Sequence, residues 1–412
     1  MPTRRLALAI VLLLLGALDA AARGYHVAKA PAGKPYSHVV TLRIGPFDVS
    51  ATHDREVCQY VQLPYVKGLT SCQRERADAP ETCGLPILGY EIRLGGGISH
   101  HFILWAYEGT VDDAAKFPAG IHDSQACLDF GPADSLHTRQ IGNSQSRRLR
   151  ALLPEGLGQQ IRAVTDAGGT PRAIGLVLNA HYIGAGKPTK GVARVKLFVA
   201  RPGTIRAYGK LIFDVTGSAF IDVPPGTVGT AGGVWEVGGP SAPIVGGPPQ
   251  NDACVLFLSA HMHKRGVRFT TALADASGTR VIYDAGDWEH PGTVAFTPPR
   301  LMTRGMQFRY SCTHDNGVTT PMKLGCELEP GVTPGVPLWK TFAVREALDG
   351  APRSCATDAD CTGIGTGRCV PANLVFGFTG NDEMCILPGL YYDAIAGAPA
   401  GRECDLSLLP TL

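Results

Sequence analysis

Six side chains in this sequence could bind metal ions, because imidazole nitrogens and a thioether sulfur are ligands for transition metals. They are His100, His101, His181, His261, His263 and Met384. A metal site requires that the fold bring such side chains together. Their spacing, and the elements that carry them, therefore decide what chemistry is possible.

His261 and His263 are separated by a single residue. In a β-strand, residues i and i+2 point to the same face and lie about 6–7 Å apart along the chain. Both imidazoles could therefore converge on one metal ion. The apolar residues 255–258 before the pair and 267–273 after it favour a strand at this position.

His100 and His101 are adjacent, and neighbouring residues of a regular strand face opposite sides. Both can bind one ion only at a β-bulge or at a strand end. Three glycines at 95–97 make such an irregular backbone plausible. His181, on a separate strand, would complete a site of three nitrogens.

Each pattern also has a plainer explanation. A His-x-His or His-His pair is more often an ordinary surface or core feature than a metal site. A single methionine such as Met384 more often fills a gap in a core. The combination of these patterns in one chain favours metal binding.

The elements that must position these residues are predicted to be strands. Glycine and proline number 51 and 31 in 412 residues, which disfavours long helices and suits short strands joined by turns. No long segment has a sustained 3.6-residue period. Segments rich in β-branched or aromatic residues are 38–44, 193–200, 253–259, 267–273 and 293–296. The sequence predicts an all-β fold made of β-sandwiches.

The length of the chain predicts two domains, because 412 residues exceed one ordinary core. We place the boundary near 203, so that the domains span 36–203 and 204–412. The Gly/Pro-rich residues 224–250 predict a long surface loop, with an interdomain linker as the alternative. Residues 326–369 form a cysteine-rich insert in the second domain.

The cysteines and the first residues indicate export. Residues 1–22 are typical of a signal peptide, with Arg4 and Arg5 before an apolar run, although an uncleaved anchor is the alternative. The 12 cysteines all follow it and favour up to six disulfides, including a local bridge between Cys72 and Cys83. No CxxC pair occurs, which argues against a zinc ribbon. We expect a secreted or periplasmic chain without a membrane span once the signal is removed.

The charge of the chain bears on its partners. A net charge of +2 with 18% charged residues leaves no basic stripe to neutralise phosphates. A nucleic-acid partner is therefore not expected.

Eight motifs in a constant order, over roughly residues 36–405, resemble one family. They are 57–64 (VCQYVQLP), 99–105 (SHHFILW), 178–182 (LNAHY), 260–263 (AHMH), 289–291 (EHP), 309–312 (RYSC), 382–385 (DEMC) and 390–392 (LYY). The sequence is similar to the copper type II, ascorbate-dependent monooxygenases, the family of peptidylglycine α-hydroxylating monooxygenase and dopamine β-monooxygenase. The resemblance implies two tandem, jelly-roll-like β-sandwich domains with one copper ion each.

The resemblance also implies the two ligand sets. His100, His101 and His181 match the all-histidine copper site of the first domain. His261, His263 and Met384 match the second copper site of the family, where O₂ and substrate react, and are the implied catalytic residues. A thioether favours Cu(I), whereas zinc rarely takes methionine. The implied activity is hydroxylation of a C–H bond of a small-molecule or peptide substrate, with O₂ and an external reductant such as ascorbate.

The resemblance further implies three disulfides, Cys58–Cys127, Cys312–Cys385 and Cys254–Cys404. The Cys312–Cys385 bridge would lie beside Met384. Four further cysteines lie in a region that the family lacks, and the sequence leaves their pairing open: Cys326, Cys355, Cys361 and Cys369.

Two positions depart from the peptide-hydroxylating members. Ser259 occupies the place of an arginine that meets the substrate carboxylate, and Pro388 the place of a tyrosine. A partly buried carboxylate needs a charge-matched donor such as arginine. A peptide substrate that ends in glycine is therefore disfavoured. The alternative function is a secreted copper-binding protein for storage or delivery, and a recognition module that has lost its metals is a third.

Overall fold

The computed structural model describes residues 24–51, 54–74, 81–127, 137–184, 186–239, 248–327, 354–363, 365–377 and 382–412. These form two compact units. The first contains the described residues up to Tyr208 together with Leu409–Leu412, and the second spans Gly209–Leu408. The sequence placed the boundary near 203, just before the short strand that ends at Tyr208. The predicted signal peptide, residues 1–22, lies outside the described residues.

The first unit is built of strands with one short helix among its described residues. The strands are β1 Tyr25–Lys29, β2 Tyr36–Val49, β3 Arg55–Pro64, β4 Ser71–Gln73, β5 Thr82–Gly96, β6 Ile98–Tyr107, β7 His122–Asp123, β8 Thr138–Ser144, β9 Arg148–Leu152, β10 Leu157–Arg162, β11 Val164–Thr165, β12 Pro171–Ile183, β13 Thr189–Ala200 and β14 Ala207–Tyr208. Helix α1 is Val111–Ala114, and a 3-10 turn spans Ser124–Ala126.

These strands form two sheets that share one core. The eight-stranded sheet runs β1-β2-β13-β5-β10-β14, with β4 and β9 also paired to β5. The six-stranded sheet runs β7-β3-β12-β6-β8, with β11 paired to β12. Buried residues of both sheets pack in a single apolar cluster, for example Val195 of β13 with Leu176 of β12. The first unit is therefore a β-sandwich.

Alternation along β12 decides which side of the six-stranded sheet each residue occupies. The residues that face the shared core are Leu176, Leu178, Ala180 and Tyr182. Asn179 and His181 alternate with them and lie on the outer face of the sheet. Val177 on the same outer face packs with Phe117 and with the Cys58–Cys127 pair, so part of the segment after β6 covers this face.

The second unit is also made of strands. They are β15 Lys210–Asp214, β16 Asp222–Val223, β17 Thr227–Glu236, β18 Ala253–Ser259, β19 Gly266–Asp275, β20 Gly278–Ala285, β21 Thr293–Met302, β22 Gln307–Asn316, β23 Leu324–Cys326, β24 Cys369–Pro371, β25 Leu374–Val375 and β26 Leu387–Asp393. Among the described residues of this unit, 3-10 turns span Thr216–Phe220, Asp358–Cys361 and Leu406–Leu408.

Two four-stranded sheets, β15-β26-β18-β21 and β17-β22-β19-β20, enclose the second core. Val255 and Tyr391 come from one sheet, and Trp235 and Phe308 from the other. The pairs β16-β25 and β23-β24 form two small additional sheets. The all-β fold predicted from the sequence is confirmed, and each of the five predicted strand segments lies within a strand.

The loop predicted for residues 224–250 is wrong for its first half, because Thr227–Glu236 forms β17 and pairs along its whole length with β22. Residues 240–247 of the predicted loop lie outside the described residues. The glycines of β17 serve close packing rather than a turn. A Cβ atom on Gly233 would collide with the hydroxyl of Tyr310 and with Thr216. Glycine leaves room there between Ala231 and Trp235, which are both buried in the core.

Gly232→Ala tests this account of β17. The added Cβ would overlap the backbone carbonyl of Tyr310 on β22, and backbone cannot give way as a side chain can. We expect the free energy of unfolding to fall by about 1–3 kcal/mol, measured by chemical denaturation. Gly286→Ala is the matched control, because its Cβ would lie 3.8 Å from the Val267 carbonyl oxygen. Equal stability of the two variants would contradict the packing role of Gly232.

All 12 cysteines are paired in disulfides. The four predicted bridges are confirmed: Cys58–Cys127, Cys72–Cys83, Cys254–Cys404 and Cys312–Cys385. The pairs left open by the sequence are Cys326–Cys361 and Cys355–Cys369. Within the described part of the chain, no helix has the length and apolar character needed to cross a membrane.

Candidate metal centres

The first cluster lies where β6 and β12 run side by side. His181 on β12 pairs with His101 on β6, but the next pair joins Tyr182 to Ser99. His100 is therefore an extra residue in β6, a β-bulge that brings its ring beside that of His101. The irregular backbone that two adjacent histidines require is present.

The three imidazoles of this cluster surround one point. Their ring centroids lie 4.9, 5.0 and 5.1 Å apart, and one nitrogen from each lies within 4.8 Å of the other two. The Nδ1 atoms of His100 and His181 are 3.2 Å apart. Two nitrogens bound tetrahedrally to one ion at about 2.0 Å lie about 3.3 Å from each other. The spacing of the His100 and His181 nitrogens therefore suits a shared first-row metal ion, although a hydrogen bond between the two rings has the same length.

The cluster is buried although it lies on the outer face of the sheet. His100, His101 and His181 are 2%, 7% and 4% exposed. The second ring nitrogen of His181, Nε2, lies 3.6 Å from a carboxylate oxygen of Asp54. Histidines that ligate metals commonly direct their other nitrogen to a carboxylate, which fixes the ring and raises its basicity. The sequence analysis did not find Asp54.

A second carboxylate lies beside this cluster. Glu56 on β3 is directly opposite His181 in the sheet. Asn179 donates a side-chain hydrogen bond of 2.9 Å to Glu56, and the Ser124 hydroxyl donates one of 3.3 Å to its other oxygen. These donors hold the Glu56 carboxylate in place next to His181.

The His-x-His pair of the second unit begins two residues after the end of β18 at Ser259. His261 exchanges two backbone hydrogen bonds of 3.1 Å with Ile386 as an isolated bridge. His263 lies in the connection to β19, where the Gly266 N–H closes a turn on its carbonyl at 2.9 Å. The predicted strand therefore reaches only His261. The two rings nevertheless lie close together in an edge-to-face arrangement, with centroids 5.3 Å apart and planes at 89°.

The residues on either side of Met384 contact the segment that carries both histidines. Met384 follows Glu383, whose carboxylate accepts the backbone N–H of His263, and it precedes Ile386, the partner of His261, by two residues. Its side chain is 8% exposed and packs with Val215, Phe213, Phe376 and Ile386. Cys385 beside it forms the disulfide with Cys312. The structure thus brings the segments that carry all three predicted ligands together.

A buried carboxylate lies behind this pair of histidines. Glu383 has no solvent exposure, and its oxygens accept backbone hydrogen bonds from His263 at 2.9 Å and Arg265 at 2.7 Å. His314 Nδ1 lies 3.3 Å away and is equally buried. Burial alone raises the pKa of the Glu383 carboxyl, but the contact with His314 and the Arg265 N–H counteract it, and the pKa lies below its usual range. The group is therefore an anion at neutral pH.

The neighbouring Asp382 orients the ring of His263. Its backbone carbonyl lies 3.0 Å from Nδ1 of His263, and a carbonyl can only accept, so this nitrogen carries the proton. The Asp382 carboxylate pairs with Lys323 at 2.6 Å, and Lys323 is itself fully buried. With Nδ1 protonated, Nε2 is the nitrogen of His263 that can accept a metal ion.

Ser259 and Pro388, the two positions that differ from the peptide-hydroxylating enzymes, have no positively charged side chain. The Ser259 hydroxyl donates to the carbonyl of Gly292 at 2.5 Å. Pro388 is buried in β26, opposite Phe213 of β15. Neither residue can meet a carboxylate as an arginine would.

Comparison of the chain with protein-family models and with curated proteins gives no match. The family resemblance of the sequence therefore remains a prediction. A functional proposal has to depend on the chemistry of the two clusters: three imidazoles in the first unit, and two imidazoles with a thioether in the second.

Proposed function

We propose that the chain is an oxidoreductase with two separate copper centres. More narrowly, we propose a secreted, ascorbate-dependent monooxygenase that hydroxylates a C–H bond with O₂. The observation that carries the proposal is the 3.2 Å separation of the His100 and His181 nitrogens within a buried group of three imidazoles. Six disulfides support an oxidising compartment such as the cell exterior or a periplasm.

In this proposal each ligand set has its own task. His100, His101 and His181 hold a copper ion that exchanges one electron. The second copper is held by His261, His263 and Met384, whose thioether favours the reduced ion. Bound copper supplies the electron transfer and O₂ activation that hydroxylation requires. The protein holds the ligands in place, keeps His263 protonated on Nδ1 and shields the first cluster from water.

The surroundings of Met384 bear on the substrate. Phe213, Val215 and Phe376 make an apolar environment around it. Ser259 and Pro388 provide no positive charge for a carboxylate. We therefore propose a substrate whose reacting part is uncharged, rather than a peptide that ends in glycine.

Copper analysis of the purified, disulfide-bonded chain tests the proposal. We expect two copper ions per chain and, in X-ray absorption of the reduced form, one ion with a sulfur ligand and one with nitrogen ligands alone. A single ion, or two ions without sulfur, would contradict the assignment. Ascorbate-dependent O₂ uptake with a hydroxylated product distinguishes the enzyme from a copper storage or delivery protein, which would bind both ions without turnover.

A further inference from the structure

The acidic pair Asp382–Glu383 connects two parts of the chain that are far apart in sequence. Glu383 contacts His263 across 120 positions, and Asp382 contacts it across 119. Met384 follows this pair directly. The pair therefore links the segment with both histidines to the segment with the methionine.

The Glu383 carboxylate accepts backbone N–H groups that the carbonyls of a neighbouring strand would otherwise accept. The backbone N–H groups of His263 and Arg265 lie beyond the end of β18 and donate to its carboxylate. A carbonyl of a paired strand would satisfy such groups without burying a charge. A fully buried carboxylate is costly unless its partners are well placed, and here His314 and two N–H groups surround it. A buried carboxylate at this position therefore suggests a function beyond satisfying two backbone N–H groups, which a paired strand would do at lower cost.

Asp382 adds a second connection with a different effect. Its carbonyl fixes the protonated nitrogen of His263, while its carboxylate is tied to Lys323. The backbone N–H of the buried Lys323 donates to Asn316 on β22 at 2.8 Å. The orientation of His263 is thereby tied to β22, on which His314 also lies.

We propose that Glu383 is a positioning residue, which together with Asp382 presets His261, His263 and Met384 for the metal before it binds. The inference depends on the proposed function, because it assumes that these three residues hold copper. It assigns a task to two residues that are not themselves ligands. Loss of outer partners of metal ligands typically lowers metal affinity about 10–100-fold.

Glu383→Gln tests the role, because it keeps the shape of the side chain but removes its charge and one acceptor. Affinity for Cu(I) is measured at both centres of one chain by competition with a chelator, and X-ray absorption identifies the sulfur-ligated ion. We expect affinity at the sulfur-ligated centre to fall about 10–100-fold. Affinity at the three-histidine centre should not change, and it serves as an internal reference. Unchanged affinity at both centres, or an equal fall at both, would overturn the proposal.

Asp275→Asn is the matched control variant. Asp275 lies at the opposite end of β19 from Gly266, and its carboxylate accepts hydrogen bonds from the Ser277 N–H and Arg280, each at 2.9 Å. This variant loses the same charge in the same unit, and both copper affinities should match the wild type. A fall at the sulfur-ligated centre equal to that of Glu383→Gln would show a general loss of stability and contradict a positioning role.

A measurement on the unaltered chain covers the case in which Glu383→Gln does not fold. Nitrogen NMR of the histidine-labelled, metal-free protein should show His263 protonated on Nδ1, as the contact with Asp382 requires. Protonation on Nε2 alone would contradict the proposal. Failure of the proposed function has a different signature, namely a wild-type chain that binds no sulfur-ligated copper at all.

Discussion

Met384→Leu is expected to remove the sulfur-ligated copper and to lower ascorbate-dependent turnover at least about 100-fold. Loss of an outer partner already lowers activity about 10–100-fold, and loss of a ligand should do more. Leucine fills a similar volume in the apolar surroundings of Met384, so the cost in stability should stay below about 1.5 kcal/mol. The copper content should drop toward one ion per chain, and the sulfur signal in X-ray absorption should disappear.

Met302→Leu is the control for this experiment. Met302 is fully buried in the apolar core of the same unit, whereas Met384 lies in a separate apolar cluster. The same change of side chain should leave two copper ions, the sulfur signal and turnover in place. Full ascorbate-dependent turnover in Met384→Leu would show that the thioether is not needed and that the second centre is wrongly assigned.

Removing the Cys312–Cys385 bridge, by changing both residues to alanine, should lower the stability of the second unit and also weaken the second centre. The bridge closes a loop of 73 residues, which corresponds to about 4 kcal/mol of unfolding free energy. Both cysteines are fully buried, and Cys385 is next to Met384. We therefore expect weaker Cu(I) binding at the sulfur-ligated centre as well, measured by chelator competition beside a denaturant titration.

The Cys254–Cys404 bridge provides the comparison. It closes a loop of 150 residues and should contribute about 5 kcal/mol, yet neither cysteine adjoins a proposed ligand. Its removal should lower stability without selectively weakening the sulfur-ligated copper. If both double variants lost copper affinity equally, the bridge at Cys385 would act through global stability and not by anchoring Met384.

The strands were largely predictable because local composition and burial agree along them. Residues 253–259 and 293–296, rich in β-branched or aromatic side chains, form β18 and the start of β21. Thr227–Glu236 was missed because glycine usually interrupts strands, whereas here Gly232 and Gly233 give room to Tyr310 of the neighbouring strand. That neighbour lies about eighty positions away, and no local pattern reveals it.

The ligand-type residues of the site were visible in the sequence, but the groups that support them were not. Two adjacent histidines require a bulge, and β6 has one at His100. Asp54 and Glu383 approach their histidines only through the pairing of distant segments. One signal for Glu383 was present, since an acidic pair next to a candidate methionine ligand has no other obvious use in an apolar core.

His314 and His290 differ in burial, which the sequence does not reveal. His314 follows Cys312 by two residues, and the structure places it against Glu383 with no solvent exposure. His290, by contrast, is exposed and lies 3.8 Å from Asp287. Burial separates the two histidines, and burial depends on the packing of sheets, which a single sequence does not display.

One additional residue in β6 decides whether His100 and His101 share a side of the sheet. In an uninterrupted ladder, neighbouring side chains point to opposite faces. Loss of a single codon next to this pair could leave every histidine in the chain and still separate the imidazoles. Strand length therefore encodes the site as much as residue identity does. A one-position gap at this point in an aligned relative would identify a chain that no longer gathers its three rings.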